Sequence, residues 1–200
     1  MGAALSHAPL YVAFGSFGAT LVFFHASEFA LVAAFNRAQL SLDSLLLQRP
    51  YLLAMASGAA EFALEAWMAP QGKALAVARC FPLGLGAVMA GEALRKAAML
   101  TARLGFTHLI QTRRRDGHEL CERGVYSWMR HPGYGGWTLW AVGTQLMLAN
   151  PLCTLGFAAA AHRFFATRIP HEERTLASLF GEQWERYRAR VRFSGVPGVP

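Results

Sequence analysis

Apolar residues gather in five long runs broken by short polar stretches, and the runs are too uniformly apolar to read as one-faced surface helices. The first covers residues 10–35 and stops at Asn36 and Arg37. Residues 41–47 read as a short amphipathic link ended by Pro50, which suits the first turn of a second run at 51–68. Pro70, Gln71 and Gly72 predict a turn, and a third run covers 74–100. The polar stretch 101–131 is the longest break. A fourth run, 134–149, and a fifth, 152–165, flank a tight turn at Asn150 and Pro151. At about fifteen residues each, these two are short for a bilayer core of about 30 Å, so they are expected to tilt or to sit partly inside the protein. Residues 170–190 predict a separate surface helix that starts at Pro170, with Glu172 and Glu173 at its positive end. Its Leu176, Leu179, Phe180, Trp184, Tyr187 and Val191 recur near helical spacing, with Arg186, Arg188 and Arg190 between them. Such a helix lies along a membrane interface or caps the polar segment. The fold class is therefore all-α: a polytopic membrane protein of about five transmembrane helices with a C-terminal amphipathic helix. Residues 1–200 form one domain, three N-terminal spans in 1–100 and the polar segment, helical hairpin and last helix in 101–200.

Composition agrees. Hydrophobic residues make up 54% of the chain and charged residues 16%, against about a quarter charged in soluble domains. The N-terminus lacks a basic n-region and its run is too long for a cleaved signal peptide, so it reads as a retained span. Cys80, Cys121 and Cys153 are scattered, without metal-ligand spacing, and their odd number argues against a disulfide framework. The net charge of +7 does not point to nucleic acid, because the arginines cluster beside apolar runs. Arg37 and Arg49 lie in the first break. Arg103, Arg113, Arg114, Arg115, Arg123 and Arg130 lie in the third, and Arg168, Arg174, Arg186, Arg188, Arg190 and Arg192 in the tail. Five spans put these three segments on one side, the cytosolic side by the positive-inside bias.

Two clusters could carry chemistry. Arg130, His131, Pro132 and Tyr134 open the fourth run, where Pro132 sets a helix start whose free amides can hold an anion. The plainer account is a helix start anchored to headgroups by Arg and aromatic side chains. Arg168, Glu172 and Glu173 form the second cluster, with ordinary first-turn acids as the plainer account. Their pairing across a helical hairpin favours function. Within the spans, His25 and Glu28 share a face, as do Glu61 and Glu65, and Glu92 with Arg95 and Lys96. Polar helix–helix contacts account for these, with Arg95 and Lys96 snorkelling to headgroups. Gly84, Gly86 and Gly91 lack the preceding strand of a nucleotide loop. Gly15, Gly18 and Ala19 are expected to permit close helix packing.

These segments resemble the eukaryotic isoprenylcysteine carboxyl methyltransferases. In the C-terminal half the resemblance rests on 124–134, 143–151, 163–165 and 180–181, a pattern shared with phospholipid methyltransferases and bacterial relatives. In the N-terminal half it rests on 25–29, 41–45, 61–65, 91–99 and 106–111, which look like the eukaryotic enzyme specifically. The resemblance implies an endoplasmic reticulum membrane enzyme that uses S-adenosylmethionine to esterify the C-terminal prenylcysteine of processed CaaX proteins such as small GTPases. It implies a donor site built from Gln111, His118, Glu119, Leu120, Cys121, Tyr126, His131, Pro132, Gly133, Tyr134 and Glu172. Arg168 would face the prenylcysteine carboxylate, with Arg168 and Glu172 as the catalytic pair. No metal is implied, and the prenyl chain would enter from membrane lipid. Gly133 stands where Ser is commoner, Pro170 and His171 replace part of an acidic run, and the extra N-terminal spans of animal members are absent. A small-lipid methyltransferase on the same scaffold, or a non-catalytic membrane binding protein, are the rival readings.

Overall fold

The computed structural model describes residues 2–37, 40–107 and 119–200, with side chains from residue 7 onward. The described residues form six α-helices and no strand. These are α1 (Gly2–Phe35), α2 (Arg49–Met68), α3 (Pro70–Ala102), α4 (Pro132–Met147), α5 (Pro151–Phe180) and α6 (Glu182–Arg190). Short 3-10 turns lie at Leu42–Leu45, Arg103–Gly105 and Gly124–Ser127.

Proline places several boundaries, because its missing N–H has no partner to lose in a first turn. Pro50, Pro70, Pro132 and Pro151 all sit in first turns. The expected turn at Pro70–Gly72 is therefore helical, and Ala69 alone separates α2 from α3. Pro170 departs from this rule. The expected helix break there is absent, and α5 runs through it to Phe180. Ala161, Phe165, Ile169 and Glu173 form a buried row at four-residue spacing across the proline. Continuing that row offsets the one ladder hydrogen bond the proline removes. The helix ends instead at Gly181, whose φ of 52° is left-handed. Glu172 and Glu173 thus lie deep in a long helix, without the dipole support a helix start would give.

The exterior is apolar. Tyr11, Leu53, Trp67 and Leu155 are each more than 70% exposed, an arrangement stable against lipid and not against water. The segments His7–Phe35 and Pro70–Gly105 are long and apolar enough to cross a membrane. The α6 helix differs from a lipid-lying one: its apolar Trp184 and Tyr187 are buried against Phe180, Val191 and Leu120, so it caps protein.

The tightest contact is between α3 and α4. A Cβ added at Gly84 would lie 2.1 Å from the Met147 backbone, and at Gly91 2.5 Å from the Trp140 amide nitrogen. On the other face, a Cβ at Gly136 would meet the Arg95 backbone at 2.7 Å, and at Gly143 the Val88 backbone at 2.8 Å. Two backbones therefore touch with no side chain between them. Gly15 and Gly18, expected to serve this purpose, face open space.

Charged groups inside the bundle are paired between helices, as polar contacts in apolar surroundings must be. Glu28 on α1 receives Arg95 at 2.7 and 2.8 Å and Lys96 at 2.7 Å, so these two cations serve α1 and do not snorkel. Glu92 instead faces Lys96 within α3, at 3.3 Å. Lys73, buried, holds Glu65 and donates to the Ala149 carbonyl at 2.9 Å and Asn150 Oδ1 at 3.0 Å. Glu61 accepts the Leu152 and Cys153 amides at 2.8 and 2.7 Å, satisfying the start of α5 from α2. His25 bridges the Leu45 carbonyl at 2.6 Å and the Tyr51 hydroxyl at 2.7 Å. The three cysteines are free.

Gly91→Val is expected to destabilise by about 1–3 kcal/mol or more, because the added atoms meet backbone that cannot yield. Gly15→Val should leave thermal unfolding in detergent within about 0.5 kcal/mol of the parent. Equal Tm values for the two variants would refute the α3–α4 assignment.

Candidate active site

The α4 start is held from three directions. His131 precedes the helix and Pro132 opens it, both buried. The Tyr134 and Gly135 amides donate to the His131 carbonyl at 3.0 and 3.2 Å, so the expected anion-binding helix end is largely satisfied by its own backbone. The Gly133 carbonyl accepts Arg95 Nη1 at 3.0 Å. From α5, Glu173 receives Arg130 Nε at 2.6 Å and lies 3.2 Å from His131 Nε2. Arg130 Nη1 also donates to the Val191 and Arg192 carbonyls at 2.8 and 2.6 Å. Burial alone would raise the Glu173 carboxyl, but hydrogen bonds from His131 and Arg130 hold it below the usual carboxylate range.

Tyr134 stands one turn into α4. Its ring stacks on His131 at 5.4 Å and on Phe165 at 4.6 Å. Its hydroxyl donates to Glu172 Oε2 at 2.5 Å and accepts from Arg168 Nε at 2.9 Å. The acid and the guanidinium are thus joined through one phenol. Two hollows meet at this residue. One is lined by Glu119, Leu120, Cys121, Tyr126, His131, Gly133, Tyr134 and Glu172, with Phe180, Trp184 and Tyr187 closing it. Burial pushes the Tyr126 and Tyr187 phenols up, so both are neutral hydrogen-bonding rings near pH 7. Carboxylate and aromatic faces together suit a cationic ligand with a planar part. The second hollow is mostly apolar, walled by Phe24, Leu46, Tyr51, Trp137, Phe164 and Phe165, and Arg168 and Arg95 stand in it. It suits a greasy ligand with an anionic end. Phe106, Thr107 and Tyr134 border both hollows.

Most of the residues expected in a donor site therefore come together around one hollow. Pro132 shapes the turn and does not line the hollow. Arg168 stands in the neighbouring hollow, one hydroxyl away from Glu172. Gln111 and His118 lie outside the described residues. Sequence reasoning missed Phe106, Thr107 and the clamp of Arg130 by Glu173. Trp184 and Tyr187 were visible in the sequence only as an apolar helical stripe.

The profile of the isoprenylcysteine carboxyl methyltransferase (ICMT) family matches residues 83–178. A probable protein-S-isoprenylcysteine O-methyltransferase of Oryza sativa subsp. japonica is 45% identical over 184 residues, covering 92% of this chain and 95% of that protein. The chain belongs to the ICMT family. The protein-S-isoprenylcysteine O-methyltransferase of Xenopus laevis is 44% identical over 188 residues, which cover 93% of this chain and 64% of the frog protein. A solved structure of the eukaryotic intramembrane Ras methyltransferase ICMT superimposes with a TM-score of 0.90 at 38% identity, covering 96% of this chain and 68% of that one. The all-helical ICMT fold is thus shared over nearly the whole described length. The two hollows lie within it where α3, α4 and α5 converge.

In this ICMT-family chain, Glu173→Ala leaves a buried guanidinium unpaired and should cost about 3–5 kcal/mol. Because the folded-state carboxyl titrates below its unfolded value, its contribution is full above about pH 4.3 and is lost as pH falls through the lower folded value. Thermal unfolding against pH should therefore show an acid-side fall in Tm that Glu173→Gln flattens. An unchanged acid limb in that variant would refute the clamp.

Proposed function

We propose that this chain methylates the C-terminal carboxylate of prenylcysteine on processed CaaX proteins such as small GTPases, using S-adenosylmethionine. The observation that carries the reading is the meeting of two unlike hollows at Tyr134, one anionic and aromatic, the other apolar with a guanidinium at its edge. The names of the relatives support the same substrate class.

S-adenosylmethionine supplies an electrophilic methyl group on a sulfonium cation. The residues fit such a donor: Glu172 offers a carboxylate, and Tyr126, Trp184 and Tyr187 offer rings for a cation and a base. Glu119, Leu120, Cys121, His131, Gly133 and Tyr134 complete the donor hollow, and Pro132 shapes the turn that carries the last three, while Gln111 and His118, expected from the resemblance, lie outside the described residues. Arg168 orients the acceptor carboxylate through charge-assisted hydrogen bonding. No residue has to remove a proton, because an α-carboxylate with a pKa of about 3.5 is already ionised. Arg168 and Glu172 are the catalytic pair in this sense, aligning acceptor and donor across Tyr134. Alignment of this kind lowers a barrier by up to about 7–11 kcal/mol. The apolar walls exclude water, and each buried prenyl CH₂ adds about 0.8 kcal/mol of binding. With five spans, the arginine-rich third break and tail share one side, which supports a cytosolic site by the positive-inside bias, and the family resemblance supports the endoplasmic reticulum membrane. Prenyl chains reach the second hollow laterally from lipid.

Transfer of labelled methyl to N-acetyl-farnesylcysteine, read as base-labile ester, tests this. Arg168→Ala should lower kcat/KM by about 100-fold or more while donor affinity changes less than about threefold. Glu172→Ala should weaken donor binding about tenfold, as expected on losing a charge-assisted contact. Methylation of ethanolamine lipids in place of the prenylcysteine carboxylate would overturn the assignment.

A further inference from the structure

Residues 191–196 turn back from α6 and run beside the α4 start. The Arg130 amide donates to the Phe193 carbonyl at 3.0 Å and the His131 amide to the Ser194 carbonyl at 2.7 Å. The Arg130 side chain grips the same segment at the Val191 and Arg192 carbonyls. Gly195 has a φ of +111°, and a Cβ there would sit 2.7 Å from the His131 carbonyl oxygen. Across the same contact, a Cβ at Gly135 would meet the Gly195 carbonyl at 2.5 Å. The tail is itself anchored. Ser194, fully buried, donates through Oγ to the Val199 carbonyl at 2.7 Å. Val196 and Val199 are buried on Phe165 and Ile169 of α5.

We propose that residues 191–196 act as a splint that sets the path of Arg130 and His131 along the donor hollow, with Gly195 as a positioning residue. This rests on the reading of that hollow as the donor site. None of residues 191–196 lines the hollow; Arg130 and His131, which they hold, do. The splint acts through Arg130 and His131, whose amides it holds, and through the Arg130 guanidinium, which it shares with Glu173. Two backbone hydrogen bonds and the close contact of Gly195 with His131 and Gly135 permit little sliding, so a displaced tail moves Arg130 and His131 together.

The test uses the full chain in detergent or nanodiscs, with Gly195→Ala and Ser194→Ala as variants. Hydrogen exchange over residues 128–136 reads the splint without any donor. The parent should protect the Arg130 and His131 amides, and both variants should exchange faster. Binding of labelled S-adenosylmethionine should weaken about tenfold or more in Gly195→Ala, with a smaller loss in Ser194→Ala, the scale set by strain at a left-handed backbone position. The KM for N-acetyl-farnesylcysteine should shift less than about threefold, since the tail's backbone hydrogen bonds go to Arg130 and His131 of the donor hollow, whereas it meets the acceptor hollow's walls through apolar packing on Phe165. Folded variants with faster exchange and unchanged donor affinity would overturn the splint. Equal loss for donor and acceptor would also overturn it, by showing general loosening. A parent that binds no donor at all, while its 128–136 amides remain protected, would instead sink the donor-site reading.

Discussion

The direct contact of the α3 and α4 backbones governs the rest of the structure. Gly84 and Gly91 on one helix and Gly136 and Gly143 on the other bring the two backbones into direct contact. In lipid no hydrophobic force drives helices together, so close packing and polar contacts must do so. With the axes this near, Arg95 reaches across to the Gly133 carbonyl while its other nitrogens hold Glu28. One guanidinium thereby locks α1, α3 and the entry to α4. The α4 start, once seated there, presents Tyr134 to α5 and His131 to Glu173.

Charges inside an apolar body are tolerated only with partners, and this chain turns that demand into architecture. The far end of the bundle is tied by Lys73 with Glu65 and Asn150, and by Glu61 on the first amides of α5. The near end is tied by Glu28, Arg95 and Lys96, and by Glu173 with Arg130 and His131. Between the near-end ties lie the two hollows. Glu172 and Arg168 are opposite charges kept in separate compartments and in contact through one hydroxyl. That separation lets each meet a ligand of the opposite sign while the pair stays electrically balanced when neither is bound.

Much of the site was legible from residue type and order. Arg130, His131 and Tyr134 before an apolar run, and an acid pair after the next one, are unusual enough near hydrocarbon to mark a task, and the resemblance of the flanking segments named the family. The support was not legible. Glu172 and Glu173 are adjacent and alike in sequence, yet one faces the hollow and the other is a buried clamp, because neighbouring helical positions point about 100° apart. Pro170 read as a helix start, since local rules favour proline there. The buried row from Ala161 to Glu173 carried the helix past it.

The chain's own pattern of apolar runs and prolines determined that the fold is helical and where α2, α4 and α5 begin, because burial of backbone polar groups in lipid leaves helices as the local solution. Which glycines touch, which acid clamps Arg130, and that a C-terminal tail braces the α4 start were decided only by the tertiary structure. Those contacts join residues more than 40 positions apart, and their strength depends on interhelical distance and shared burial, which no local spacing encodes.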